Sequence, residues 1–154
     1  MFNNGALTAS NTTISGNNAL GGSSPSLGGG IYQYANEGSV TLQNSIVANN
    51  SSGGNCYGSV TSNGYNMSSD GTCNFSASGD RNNINPMLGP LQNNGGPTQT
   101  MALLPGSPAI DAGNPSGCTD GHGHLLTTDQ RGQPRPDHED SVGCDMGAYE
   151  SQSD

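Results

Sequence analysis

The chain of 154 residues contains no lysine and no tryptophan, and its cations are three arginines, Arg81, Arg131 and Arg135. Phosphate backbones are held by clustered cations, so nucleic-acid binding is excluded as a function class. Anionic membrane surfaces are disfavoured for the same reason. No apolar run approaches the ~20 residues that a membrane span needs. Residues 1–20 have neither a basic start nor a long apolar core, so no signal peptide is expected there. Leu, Ile, Val and Phe together supply only 21 residues, and the net charge is -9. Such a balance ordinarily reads as disorder. The pattern argues otherwise. Disordered chains are rich in Glu, Lys and Pro, whereas this one is rich in Gly, Asn, Ser and Thr. Its few apolar residues recur in strand-like clusters, which is what a thin-cored, stacked β-coil requires.

The stretch Asn93–Gly113 divides the chain. Turn signals flank one apolar run, Met101–Leu104, and a shorter one, Ala109-Ile110, follows a Ser-Pro break. Before it the sequence is repetitive. Ala6–Asn17 lies on Ser39–Asn50 at an offset of 33, so that Leu7 meets Val40, Asn11 meets Asn44 and Ile14 meets Val47. A partial third copy starts at Gly58-Ser59-Val60-Thr61. Each unit reads as a short strand, an Asn corner, a second short strand and an Asn turn. Asn and Gly tolerate the left-handed backbone that such corners impose. Ile31–Tyr34 is a further strand, Gly64–Met67 reads as a strand of the last regular coil, and Tyr149-Glu150 as the end of the last strand. The expected architecture is all-β: the last few coils of a right-handed parallel β-helix with a loop-rich, disulfide-closed C-terminal cap. The coils occupy residues 1–92, and residues 93–154 form the cap of the same domain. A β-sandwich of hairpins is the competing architecture, but no Asn-Gly turn sits between two clearly alternating runs. Six prolines between Pro86 and Pro115 leave no room for a long helix.

The cysteines are Cys56, Cys73, Cys118 and Cys144. An even count in a thin-cored chain points to disulfides, with three connectivities open. Neighbour pairing is the simplest; each bridge would close a loop of roughly 20 residues and contribute ~3 kcal/mol. Disulfides imply an oxidising compartment. Four free thiols in a cytosolic protein is the alternative, and a four-cysteine zinc site lacks any Cys-x-x-Cys pair.

Several segments resemble the C-terminal part of bacterial surface proteins with polymorphic-outer-membrane-type β-helix repeats, the group called choice-of-anchor Q domain proteins. They are Gly64–Cys73, Leu88–Leu91, Asn93–Gly113, Asp129-Gln130-Arg131-Gly132-Gln133-Pro134-Arg135-Pro136 and Gly143-Cys144-Asp145-Met146-Gly147-Ala148-Tyr149-Glu150. The resemblance implies a β-helix closed by the Asn93–Glu150 region, exported and displayed on an envelope, with no known activity. The chain departs from the pattern in lacking a leader and a terminal anchor, which is expected of a fragment of a larger protein. It also carries Gly121-His122-Gly123-His124 where a plainer loop is expected.

The tail supplies the chemistry-bearing side chains. His122 and His124, with His138 as a third nitrogen, make a candidate metal set for zinc or copper. A His-x-His pair on an extended strand would put both imidazoles on one side. Asp120 or Glu139 would then act as general base. The carboxylates Asp120, Asp137 and Asp140 are instead the hard oxygens that calcium takes. The bland alternative is a solvated acidic loop. Asp111, Asp129 and Asp145 read as structural, with at least one pairing to Arg131 or Arg135. Tyr32, Tyr34, Tyr57 and Tyr65 can stack on sugars or simply pack along the coil edges. With this acidity, a neutral glycan fits better than an anionic one.

The leading expectation is therefore a non-catalytic, secreted or cell-surface adhesion or glycan-contact module. The alternative is a small metal-assisted enzyme acting on an extracellular polysaccharide or similar polymer. An open N-terminal coil would also leave strand edges free for homo-oligomer formation.

Overall fold

Three short strands recur in a fixed order along the first half of the chain. A computed structural model describes residues 1–20, 27–34, 37–138 and 143–153. The first pass runs through β1 (Phe2–Asn3), β2 (Ala6–Ser10) and β3 (Thr13–Ser15). The second runs through β4 (Ile31–Gln33), β5 (Ser39–Gln43) and β6 (Ile46–Ala48), the third through β7 (Cys56–Tyr57), β8 (Val60–Ser62) and β9 (Met67–Ser68). Each strand pairs in parallel with the one three places on, giving sheets ordered β1-β4-β7, β2-β5-β8 and β3-β6-β9. The chain thus passes three times across the same three sheets. The described residues form no helix, and none is long and apolar enough to cross a membrane.

The register is the one that the repeat spells out. Leu7 pairs with Val40, Thr8 with Thr41 and Ile14 with Val47, all at the offset of 33. Like residues lie over like because the strands turn one face toward a shared interior, buried in β4 and β5 and partly buried in β2 and β8, and a slip by one residue would turn the apolar set outward. In β5 Val40 and Leu42 point inward while Ser39, Thr41 and Gln43 face out. Val40, Leu42, Ile14, Ile31, Val47 and Cys56 form the interior, with Cys73 and Phe75 closing it.

β6 is buried throughout. Its Val47 joins that interior, whereas Ile46 and Ala48 face a second apolar cluster with Met67, Leu103, Ala109 and Met146. Burial on both faces explains why this strand reads as an unbroken apolar run. The second cluster is covered by an antiparallel hairpin of β10 (Leu88–Gln92) and β11 (Thr100–Leu103). Its register shifts between Leu88 and Leu91, and Pro90 sits in that irregularity, where a missing N–H is tolerated.

The corners are asparagine ladders. Asn11 and Asn44 both take left-handed backbone angles, φ 51° and 48°. The Asn44 Nδ2 donates to Asn11 Oδ1 at 2.9 Å. A second ladder joins the Asn17 backbone N–H and side-chain Nδ2 to Asn50 Oδ1 at 2.9 and 3.0 Å. The third pass departs from the expected strand over Gly64–Met67. Val40 pairs with Val60, an offset of 20, but Ile46 pairs with Met67, an offset of 21. The extra residue lies in the Gly64-Tyr65 corner, where both residues have positive φ (99° and 58°), so only Met67–Ser68 is strand.

Both disulfides follow neighbour pairing, Cys56–Cys73 and Cys118–Cys144. The second ties the tail to the Asn11/Asn44 corner. Gly113 makes that approach possible, because a Cβ there would lie 2.5 Å from Asn44 Oδ1 and 2.5 Å from the Cys144 carbonyl. The described tail after Gly143 is loop rather than strand, so Tyr149-Glu150 does not end a strand. Its backbone is held by side chains instead of a ladder.

Replacing Asn44 by Ala strands the Asn11 and Asp145 oxygens and leaves a residue with a Cβ in the left-handed conformation without side-chain hydrogen bonds to support it. The expected loss is about 3 kcal/mol in denaturant unfolding, and Asn44→Gly, which relieves the backbone part, should lose about 1 kcal/mol less.

Candidate functional site

The outer face of the β1-β4-β7 sheet carries a row of aromatic rings. Phe2 pairs with Tyr32 and Tyr32 with Tyr57, so the register places the three side chains one above another. Alternation along β4 buries Ile31 and Gln33 and turns Tyr32 out. Ring centroids are 5.5 Å apart for Phe2–Tyr32 and 5.0 Å for Tyr32–Tyr57, with interplanar angles of 13° and 21°. Near-parallel rings at this separation are stacked face to face with an offset, so each covers much of its neighbour's face and half-buried Tyr32 is covered from both sides. Tyr34 leans against the row, 6.3 Å from Phe2 and tilted by 47°. Phe2 is 66% exposed, Tyr34 46% and Tyr57 40%.

A shallow groove of about 270 Å³ runs beside Tyr34, lined also by Gln33, Ser39, Ser59 and Thr61. Gln33 is fixed: Asn3 Nδ2 donates to its Oε1 at 2.6 Å, and its own Nε2 donates to the carbonyls of Tyr34 and Glu37. The hydroxyls of Ser39, Ser59 and Thr61 come from successive passes of the chain. No side chain before Glu37 is an acid or a base that is charged at neutral pH, and the Met1 ammonium donates to the Gly30 carbonyl at 2.7 Å. The surface is therefore aromatic, hydroxylated and almost uncharged on a protein of net charge -9.

Of the four tyrosines singled out from sequence, Tyr32, Tyr34 and Tyr57 gather on this face. Tyr65 does not. It turns the third corner and packs partly buried against the second apolar cluster. Phe2, which belongs to the row, escapes the sequence reading. The intervals Phe2–Tyr32 and Tyr32–Tyr57 are 30 and 25 residues, not 33, because the connecting loops differ in length, and the aromatic recurrence is masked.

The His-rich segment is a loop, not the extended strand expected from His-x-His. Gly121 and Gly123 have φ of 84° and 92°, and Thr119 and Leu125 close the loop as a bridge. Asp120 organises it. Its Oδ1 accepts the backbone N–H groups of His122 (2.7 Å) and His124 (3.2 Å), and its Oδ2 meets His124 Nδ1 at 2.8 Å. The His124 side-chain bond, with the His122 N–H, holds the Asp120 carboxyl at about 2, well below the usual range. A carboxylate so stabilised is a weak proton acceptor. The His124 side chain is 81% exposed, and His122 and His138 are exposed as well. Asp137 is buried. Glu139 and Asp140 lie outside the described residues. Among the described residues no group of three or more His, Cys, Asp or Glu side chains is placed to hold a metal ion.

The two tail motifs, Asp129–Pro136 and Gly143–Glu150, are halves of one buried clasp. Arg135 Nε donates to Glu150 Oε2 at 2.7 Å, and its Nη2 donates to the carbonyls of Gly147 and Tyr149. Arg131 pairs with Asp129 at 2.8 Å and lies 3.6 Å over the Tyr149 ring. Asp129 Oδ2 also accepts the Glu150 N–H at 3.0 Å. Asp145 Oδ1 accepts the Asp111 N–H at 2.9 Å. The expected carboxylate–guanidinium pairing thus occurs at Asp129–Arg131, while Arg135 pairs with Glu150, for which the sequence suggested only a strand end. Comparison of the chain with protein-family models, curated proteins and solved structures gives no match.

Burial pushes the Glu150 carboxyl up to about 7, with the neighbouring Asp145 carboxylate adding to the rise and Arg135 only partly opposing it. A carboxyl whose folded pKa exceeds its unfolded one stabilises the fold most below the unfolded value. That contribution fades as pH rises through 7. Stability should therefore fall by on the order of 3 kcal/mol between pH 5 and pH 8. Melts at the two pH values in wild type and Glu150→Gln check this, since the variant should lose most of the slope.

Proposed function

We propose that this chain is a non-catalytic, secreted or cell-surface module that contacts neutral glycans through the Phe2–Tyr32–Tyr57 face. The observation that carries the reading is that row of stacked rings, with Phe2, Tyr34 and Tyr57 exposed, beside a groove of hydroxyls on a surface of low charge. The exposed Phe2, Tyr34 and Tyr57 rings offer apolar surface to sugar C–H groups, and neighbouring hydroxyls can exchange hydrogen bonds with sugar hydroxyls. Two disulfides favour an oxidising compartment.

The proposed architecture beneath the face is a right-handed parallel β-helix capped by the tail, as the resemblance to choice-of-anchor Q domain proteins implies. Right-handed crossovers between parallel strands are the strong rule, and three passes through three parallel sheets are what such a helix needs. The motifs that carry the resemblance coincide with the clasp: Arg131 and Arg135 on one side, Asp145 to Glu150 on the other. A rigidly capped stack of strands is a suitable support for a flat contact surface.

Retention on a panel of immobilised neutral polysaccharides tests the function. Tyr32→Ala and Tyr57→Ala should each weaken binding roughly tenfold, and Tyr34→Ala somewhat less, with melting temperatures little changed for Tyr34→Ala and Tyr57→Ala, whose rings are exposed, and lowered for Tyr32→Ala, whose half-buried ring is stacked between two others. Binding that survives the Tyr32→Ala/Tyr57→Ala double variant, or no retention on any member of the panel, would remove this face from the function.

A further inference from the structure

We infer that two copies of this chain associate end to end, the open edge of β2 in one pairing antiparallel with the same edge in its partner about a two-fold axis at Thr8. The dimer does not draw on the glycan reading, which concerns the first sheet.

The two ends of the stack differ. Beyond the third pass the interior is closed by the Cys56–Cys73 bridge and Phe75. The chain also continues the third sheet there: the Ser68 N–H donates to the Arg81 carbonyl, and the Arg81 N–H to that of Asn66. At the first pass nothing equivalent is found among the described residues. β1, β2 and β3 are each the outer strand of their sheet. Leu7 and Ala9 face the interior at this end but are only partly buried. An unpaired edge beside an incompletely covered apolar interior is a template for a further strand.

The phase of the β2 backbone sets how that strand must sit. The Ser39 N–H donates to the Gly5 carbonyl, and the Asn11 N–H to the Gln43 carbonyl. In the parallel ladder between these bonds, Leu7 and Ala9 turn their backbone groups to β5. Ala6, Thr8 and Ser10 turn theirs to the open edge. The Ser10 carbonyl accepts from Thr12 Oγ1 at 3.0 Å and keeps a second lone pair. This edge is self-complementary. A two-fold axis at Thr8 sets Thr8 opposite the partner's Thr8 and Ala6 opposite the partner's Ser10, each pair exchanging N–H and carbonyl. It sets Leu7 opposite the partner's Ala9 in the closer, non-hydrogen-bonded position. The side chains that leave the interior incomplete are thus the ones that meet.

Charge singles out this end for contact between copies. At a net charge of -9 the molecules repel one another over most approaches. Phe2–Ser15 carries no charged side chain, and the Met1 ammonium is bound to the Gly30 carbonyl. The flanking loop packs Gly121 beside Ser10 and Thr8, and its Asp120 carboxylate is engaged by His122 and His124. A two-fold contact uses both edges and closes at two copies, whereas head-to-tail stacking of β8 on β2 would continue without limit.

Sedimentation equilibrium of the full chain over about a hundredfold range of concentration, together with oxidative trapping, tests the inference. A monomer–dimer equilibrium without larger species is expected. Facing residues of a hydrogen-bonded antiparallel pair lie about 5.5 Å apart between Cα atoms, within disulfide reach. Thr8→Cys should therefore trap a covalent dimer, and Thr61→Cys, on the same face two passes away, should not. Thr8→Pro removes an open-edge donor and no ladder donor, so it should weaken the dimer about tenfold or more with little change in melting temperature. Should that variant fail to fold, trapping by Thr8→Cys decides. A monomer at every concentration, growth beyond two copies, or trapping no faster in Thr8→Cys than in Thr61→Cys overturns the pairing. A dimer that a folded Thr8→Pro variant leaves unchanged overturns it as well.

Discussion

At Asn44 the backbone turns through a left-handed conformation (φ 48°) and sends its polar groups in separate directions. Its N–H donates to the Gly64 carbonyl of the next pass, and its carbonyl accepts the Gly147 N–H of the tail. Its carboxamide donates to Asn11 Oδ1 of the preceding pass and to the Asp145 carbonyl. One buried residue thus joins three passes of the chain to the cap. A covered corner of this kind is cut off from bulk water, so these groups are paired within the protein, while the buried Asn44 Oδ1 has no hydrogen-bond partner among the described residues. The close packing at Gly113 and the Cys118–Cys144 bridge are arranged around that requirement.

The thin core makes such polar fastening necessary. The interior of the stacked passes is a single file of Ile, Val and Leu side chains with Phe75 and one disulfide at its end. The second cluster exists only because the β10–β11 hairpin and Met146 cover the outer side of β6. The tail contributes little regular structure of its own. Its shape comes from Arg131, Arg135, Asp129, Asp145 and Glu150, which are joined to one another and to the backbone by hydrogen bonds in a buried setting. Buried ion pairs of this sort fix one arrangement more than they stabilise it. Here they fix the tail against Thr13 and Ile46 of the third sheet, while Phe2, Tyr34 and Tyr57 stay exposed on the first.

That division of labour gives the protein a surface built by repetition. Each pass adds one ring and one or two hydroxyls at nearly constant spacing, and nothing on the face needs to move or ionise. The His-rich loop, by contrast, is organised by Asp120 through local hydrogen bonds, with its imidazoles turned to solvent. Chemistry-bearing residue types are concentrated there, but residue type alone does not assemble a site; convergence does.

The sequence by itself determined the parallel register of the second and third sheets. Leu7 over Val40, Asn11 over Asn44 and Ile14 over Val47 are local repeats whose alternation leaves one arrangement that buries the apolar face. It also determined the positions of the asparagine corners, since few residues other than Asn and Gly accept their backbone angles. Neighbour pairing of the cysteines was the simplest of three connectivities in the sequence, and only folding selected it. Tertiary structure alone decided the rest: the extra residue in the Gly64-Tyr65 corner, the loop form of Tyr149-Glu150, the clasp between the two tail motifs, and the alignment of Phe2 with Tyr32 and Tyr57. These depend on loop lengths and on contacts between segments far apart in the chain. Neither leaves a periodic trace in sequence, whereas a strand that must bury every second residue does.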